Sequence, residues 1–252
     1  MHNTPDLWRA LLPVKTEDSH KYTHGHAVIY GAPDLTGATR LAAAACARMG
    51  VGLVTVLAPA ASAGIYRTTL PAHLLVRSEL SYMDKRVTAR LYGCGGLAVN
   101  PDFGLEIPTV LDADALNQLP SELSPNYVLT PHDGEYQRIF AQFADGSQRE
   151  KALHAAQALN VHIVLKGART IIASPFGNFL ENTHASPVLA TAGTGDILAG
   201  MITGLIAQAM PIFEACAAAV WLHGECARRF GVGLVASDLP ELIPKVYQSL
   251  ID

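Results

Sequence analysis

The sequence predicts an α/β protein with a mostly parallel central sheet and helices on both of its faces. Three observations predict it. Short, wholly apolar runs of strand length alternate with longer alanine-rich stretches of helical period. The runs lack the in–out alternation of a half-solvated strand, so both of their faces are buried, as in a parallel sheet. Repetition of strand then helix makes successive strands parallel, because each helix carries the chain back across one face of the sheet.

In chain order, strands are expected at 27–30, 53–57, 109–111, 127–129, 162–165 and 170–173, and helices at 38–49, 150–159, 196–208 and 214–230. The longest uncharged, largely apolar run, 197–213, is broken by Gly200, Gly204, Gln208 and Pro211. It falls short of a membrane span and reads as a buried helix followed by a turn. No internal repeat or low-complexity linker divides the 252 residues, so one domain over 1–252 is expected.

Half of the residues are apolar and 16% are charged, which predicts an ordered, sizeable core. The net charge of −4 is spread without any block of like sign, so no basic stripe points to nucleic acid or to an anionic membrane. Residues 1–21 lack the apolar core of a secretory signal. Cys46, Cys94, Cys216 and Cys226 are not at metal-ligand spacing and read as buried thiols in a reducing cytoplasm. His24, His26, His184 and His223 are not at zinc spacing either; His223, on an apolar helix, reads as a satisfied core histidine. A cytoplasmic globular protein is expected.

In open parallel sheets, ligands bind beyond the carboxyl ends of the strands. Gly31-Ala32-Pro33, Asp112-Ala113-Asp114, Thr130-Pro131-His132 and Lys166-Gly167 each follow an apolar run, so their loops are expected to converge on one composite site. The strongest motif is Thr191-Ala192-Gly193-Thr194-Gly195-Asp196, directly before an apolar helix. Glycines let backbone approach a ligand, and free N–H groups at a helix start cradle an anion. Asp196 beside such a cradle suits a general base acting on an attacking hydroxyl; ordinary capping by Thr194 or Asp196 is the alternative.

Lys166, at a strand end, suits phosphate oxygens or is a solvated loop lysine. His132 and Glu135 flank a Pro turn, as a substrate contact or as a helix cap. Asp112 and Asp114 suit a magnesium–phosphate complex or cap the next helix. The small residues of Gly31–Ala38 leave room for a bulky ligand or allow close helix–sheet packing. No Gly-x-Gly-x-x-Gly opens the first helix and no Walker-type Gly-Lys-Ser/Thr occurs, which excludes the two commonest nucleotide folds.

Taken in order, these segments resemble the ADP-dependent NAD(P)H-hydrate dehydratases of the ribokinase-like superfamily. The matching pieces are Ser19-His20-Lys21 with Gly25, Gly37-Ala38, the 112–117 segment, Thr130-Pro131-His132 with Glu135, Lys166-Gly167, Gly193 to Asp196, Leu222-His223-Gly224 and Ala236-Ser237-Asp238-Leu239. The resemblance spans about residues 19–247 and implies a three-layer α/β/α fold. It implies the S form of hydrated NADH or NADPH as substrate, ADP as phosphoryl donor to the C6 hydroxyl, elimination of phosphate, and AMP as co-product, with Mg2+ near Asp112 and Asp114. Asp196 is then the base. Lys166, Gly167, Ala168, Arg169 and Thr170, with Gly193, Thr194 and Gly195, hold the adenine nucleotide. Ala38, Gly95 and His132 border the hydrated nicotinamide nucleotide. The family often forms homo-oligomers and often carries a fused epimerase, here expected as a separate polypeptide.

Two segments depart from the family pattern. Gly93-Cys94-Gly95-Gly96-Leu97 stands where Gly-Pro-Gly-Leu-Gly is usual, with a shortened stretch before Asp112. Of an Asn-Pro-x-Gly-Asn-type segment, only Asn182 remains in 181–186. An ATP-dependent kinase of the hydroxyethylthiazole or hydroxymethylpyrimidine type and a catalytically impaired nucleotide-binding homologue are the competing readings.

Overall fold

The computed structural model describes residues 1–82, 84–98 and 104–252. The shortened stretch before Asp112 therefore lies partly outside the described residues. Among the described residues nine strands are formed: β1 (His26–Tyr30), β2 (Leu53–Leu57), β3 (Leu75–Arg77), β4 (Ala89–Tyr92), β5 (Thr109–Leu111), β6 (Tyr127–Leu129), β7 (His162–Leu165), β8 (Thr170–Ala173) and β9 (Phe179–Asn182). Seven α-helices accompany them: α1 (Thr36–Arg48), α2 (Ala63–Thr69), α3 (Asp133–Ile139), α4 (Gln148–Leu159), α5 (Thr194–Ala207), α6 (Ile212–Phe230) and α7 (Leu239–Ile251). The strands make one sheet in the order β3-β2-β1-β4-β5-β6-β7-β8-β9. From β3 to β7 all neighbours are parallel, and β8 and β9 close one edge as antiparallel strands.

All six expected strands and four expected helices are present; five of the strands have the expected bounds, β1 starts one residue earlier, and the helices have ends shifted by up to two residues. Three strands are additions, and each lacks the signal of a fully buried run. β4 is interrupted by Arg90, while β3 and β9 lie at the two edges, where one side of the ladder faces no neighbour.

Alternation within each strand divides the interior between two cores. Val110, Val128 and Val164 face the layer of α1, α5, α6 and α7. Leu111, Leu129, Ile163 and Leu165 face the layer of α3 and α4, packing on Tyr136, Phe140, Ala152 and Ala156. Each such side chain is worth about 1.5–3 kcal/mol when fully buried.

The placement of α5 is set by small residues. A Cβ on Gly200 would overlap the Ala42 carbonyl of α1, and one on Gly204 would lie 2.8 Å from the Cys46 carbonyl oxygen. The two helices therefore meet backbone to backbone, which fixes the N-terminus of α5 over the carboxyl ends of the central strands.

Candidate active site

The loops after β4, β5, β6 and β7 meet around one buried carboxylate. Asp112, just after β5, is 2% exposed. Its Oδ1 accepts from Thr130 Oγ1 at 2.7 Å and from Lys166 Nζ at 2.8 Å. Lys166 is held at that point because its N–H donates to the Pro131 carbonyl at 2.8 Å, extending the β6–β7 pairing into the loops. Cys94 Sγ approaches Asp112 Oδ2 at 3.9 Å from the β4 side. Such partners offset the cost of burying a carboxylate.

The start of α5 completes the cluster. Gly193 precedes the helix at φ +91°, a backbone conformation open to glycine and costly for other residues. No side chain caps the helix. Thr194 Oγ1 turns away from that role and donates to the carbonyls of Leu189 and Thr191 at 2.8 and 3.0 Å. The first turn thus offers its N–H groups to a ligand.

Asp196 lies in that first turn, and donor atoms of Cys94, Asp112 and Asp196 all lie within 4.8 Å of one another. Burial, then the charge of Asp112, raises the Asp196 carboxyl to about 6; the Cys94 thiol and the Lys166 ammonium oppose the rise. Burial would lower the Lys166 ammonium, yet Asp112 holds it above its ordinary value. Cys94 is pushed well above the ordinary thiol range by burial and by the carboxylates, so it remains a neutral donor. A carboxylate tuned toward neutrality is suited to taking a proton at physiological pH.

A cavity of about 690 Å³ opens beside this cluster. His132, Lys166, Gly167, Ala168, Thr170, Thr194 and Gly195 line it, together with Ala185, Pro187, Leu189, Leu198 and Val220. A few polar groups set in a largely apolar wall are the usual make-up of a nucleoside-sized pocket. His132 also caps α3, accepting at Nδ1 from the Glu135 N–H (3.2 Å), while Glu135 Oε2 accepts from the His132 N–H (2.8 Å). The imidazole is nonetheless exposed toward the cavity, so both expected roles are compatible with its position.

The loops after β1 and β4 pack together beside the same cluster. Thr39 Oγ1 accepts from the Ala32 N–H at 3.0 Å and donates to the Cys94 carbonyl at 2.9 Å, tying the loops after β1 and β4 to α1. A Cβ on Gly95 would lie 3.0 Å from the Ala38 Cβ, so these two residues face one another.

Magnesium takes hard oxygen ligands. Asp112 and Asp196 supply carboxylate oxygens, whereas the protonated Cys94 thiol is a poor ligand for such an ion. The donor set fits a cation shared with phosphate oxygens, with Asp112 as its protein contact. Asp114 is exposed and lies outside the cluster.

Residues 26–248 match the family model described as NAD(P)H-hydrate dehydratase. The chain belongs to this dehydratase family. Among its relatives, the ADP-dependent (S)-NAD(P)H-hydrate dehydratase of Neisseria meningitidis is 36% identical, covering 84% of this chain and 79% of the relative. A bifunctional NAD(P)H-hydrate repair enzyme of Moorella thermoacetica is 34% identical over 96% of this chain, which spans 53% of that relative, about half its length. The ADP/ATP-dependent NAD(P)H-hydrate dehydratase of Bacillus subtilis, co-crystallised with ATP and Mg2+, superposes with a TM-score of 0.87 at 29% identity, covering 99% and 98% of the two chains. The ribokinase-like three-layer fold expected from the sequence is the observed one.

In this member of the dehydratase family, the expected site residues fall into three places. Lys166, Gly167, Ala168, Thr170, Thr194, Gly195 and His132 surround the cavity. Asp112 and Asp196 form the carboxylate cluster with Cys94, and Ala38 and Gly95 face one another outside the cavity. Gly193 shapes the turn without lining the cavity, and Arg169 points outward, pairing with Glu181 at 3.1 Å. Reading the sequence did not place Cys94 in the site or find the hydrogen bond from Thr130 to Asp112. Cys94 had a signal, its place between two glycines after β4, but β4 itself was hidden by Arg90.

Proposed function

We propose that this chain dehydrates the S form of hydrated NADH or NADPH, with ADP as phosphoryl donor. The observation that carries the reading is Asp196: a carboxyl raised to about 6, in the first turn of a helix without a side-chain cap, beside the cavity that Lys166, Gly167, Ala168 and Thr170 line.

The adenine nucleotide occupies the cavity, its phosphates against the N–H groups of α5 and the Lys166 ammonium. The hydrated nicotinamide ring lies on the Ala38–Gly95 side of the cluster and brings its C6 hydroxyl to Asp196. Asp196 takes the hydroxyl proton as the oxygen attacks the β-phosphorus of ADP, and the bond from that phosphorus to the bridging oxygen breaks to release AMP. Hydroxide leaves poorly and phosphate leaves well. The ring-nitrogen lone pair expels phosphate, a proton is lost from C5, and the 5,6 double bond is restored. Mg2+, when bound, would neutralise charge on the phosphate oxygens, and the Asp112 carboxylate would help to hold it.

The dehydratase chemistry is carried by one domain over residues 1–252, and its substrate links it to a reaction that interconverts the R and S hydrates. Incubation with the S hydrate of NADH and ADP tests the reading. Return of the reduced-nicotinamide absorbance with one AMP and one phosphate per turnover is expected. An inert hydrate, together with ATP-dependent phosphorylation of a thiazole or pyrimidine alcohol, overturns it.

A further inference from the structure

One wall of the cavity is tied to the start of the chain. Among the described residues no further strand flanks β9, yet residues 1–3 run along its outer edge. The Glu181 N–H donates to the Met1 carbonyl and the Asn3 N–H to the Glu181 carbonyl, both at 2.9 Å. The Asn3 side chain beside this pairing is 5% exposed. Its Nδ2 donates to Asn182 Oδ1 at 3.0 Å and to the Ala217 carbonyl at 2.8 Å. Its Oδ1 accepts from Trp8 Nε1 at 2.9 Å. The Trp8 N–H can only donate and the Ala217 carbonyl can only accept, so together they fix which way the buried amide points.

Both partners lead to the cavity. Asn182 ends β9 and lines it, and Ala217 lies one turn before Val220 of α6, which also lines it. Asn182 in turn donates from Nδ2 to the His184 carbonyl at 3.1 Å. That carbonyl is packed against α6, where a Cβ on Gly224 would overlap it. The His184 ring lies flat on Trp221 of the same helix, with 4.5 Å between ring centroids. Ala185, Ser186 and Pro187, which follow, line the cavity. Asn3 thus spans β9 and α6, and the wall after β9 is held through Asn182.

We propose that Asn3 is a positioning residue for nucleotide binding: by bridging Asn182 and α6 it holds the cavity wall against which the nucleoside half of ADP packs, without touching the ligand. The inference rests on the ADP site described under Proposed function, where the phosphates lie at α5 and Lys166 and leave the wall at 182–187 to the nucleoside. Removing the Asn3 amide deprives Asn182 Oδ1 of its buried donor and frees that side chain to turn. The loss then falls on ADP affinity and spares the chemistry at Asp196. The coupling is reciprocal: if anchoring of residues 1–3 favours the form of the wall that binds ADP, bound ADP strengthens that anchoring by the same factor.

Two measurements on the full chain test this. In Asn3→Leu, the KM and the calorimetric Kd for ADP are expected to rise about tenfold, while kcat at saturating ADP stays within about twofold of the wild type. The losses of ADP affinity in Asn3→Leu and Asn182→Ala should not add in the double variant, because one residue acts through the other. Wild-type affinity in a folded Asn3→Leu, a loss confined to kcat, or full additivity overturns the proposal. The second measurement uses the wild type. Amide hydrogen exchange at Asn3 and Glu181 should slow about tenfold at saturating ADP, relative to amides of β3 at the opposite edge of the sheet. Unchanged relative exchange with ADP bound overturns the proposal, even where the variants do not fold. A wild type that does not bind ADP in the calorimeter overturns the ADP site itself.

Discussion

A Cβ placed on Gly195 would lie 3.4 Å from Lys166 Nζ. The first turn of α5 and the lysine at the end of β7 thus stand at contact distance, two cationic faces turned toward the same cavity. A phosphate held by one is within reach of the other, and any side chain at residue 195 stands between them.

Gly195→Val should therefore weaken ADP binding without unfolding the protein. The branched side chain displaces the Lys166 ammonium and crowds the phosphate, at a cost of about 1–3 kcal/mol, or roughly 10- to 100-fold in Kd. Isothermal titration calorimetry checks it, and wild-type affinity in the variant contradicts it.

The pH dependence follows from Asp196. The base form is required, and the carboxyl titrates at about 6. The logarithm of kcat/KM should rise with slope one up to about pH 6 and level off above it. Lys166→Met removes a positive charge that favours the ionised carboxylate, so the acid limb should move to higher pH. A limb at the ordinary carboxylate position near pH 4 in the wild type contradicts the assignment.

Lys166→Met should also destabilise the fold. Asp112, with its side chain 3% exposed, would keep Thr130 and lose its only ion-pair partner among the described residues. Removing one member of a buried pair costs about 3–5 kcal/mol. Urea unfolding of the variant measures it; a midpoint equal to that of the wild type contradicts the pairing.

The layers, the parallel sheet and the convergence of loops at one edge were legible in the sequence because they rest on apolar runs and on the short motifs that follow them. The motifs also placed Asp196, Lys166 and Asp112 near one another. What stayed hidden depends on contacts between segments far apart in the chain. Nothing local to Thr130 shows that its hydroxyl donates to a carboxylate eighteen residues earlier. His223 sits in a helix whose composition reads as core, and that its Nε2 is buried without a partner among the described residues shows only in the folded chain. The edge strands β3 and β9 were missed because a strand buried on one side need not be uniformly apolar.

Asp196 also bears on stability, with a sign opposite to that of a paired carboxylate. Its native value, about 6, lies above the ordinary 3.8, so the native state holds the proton more tightly than the unfolded chain. Stability from this group is present below pH 3.8 and is lost as pH rises through about 6. At pH 7 the ionised carboxylate destabilises the fold by up to about 3 kcal/mol. Asp196→Asn should raise Tm at pH 7 and lose that advantage near pH 4. Equal gains at both pH values contradict the raised carboxyl.

The same variant tests the chemistry most directly. Single-turnover dehydration of the S hydrate and calorimetric ADP binding are measured side by side on Asp196→Asn. Loss of the base should slow turnover by about 100- to 10,000-fold while ADP affinity stays within a few-fold, because the N–H groups of α5 and Lys166 remain in place. Turnover at the wild-type rate with ADP still bound contradicts the account and removes Asp196 from the reaction.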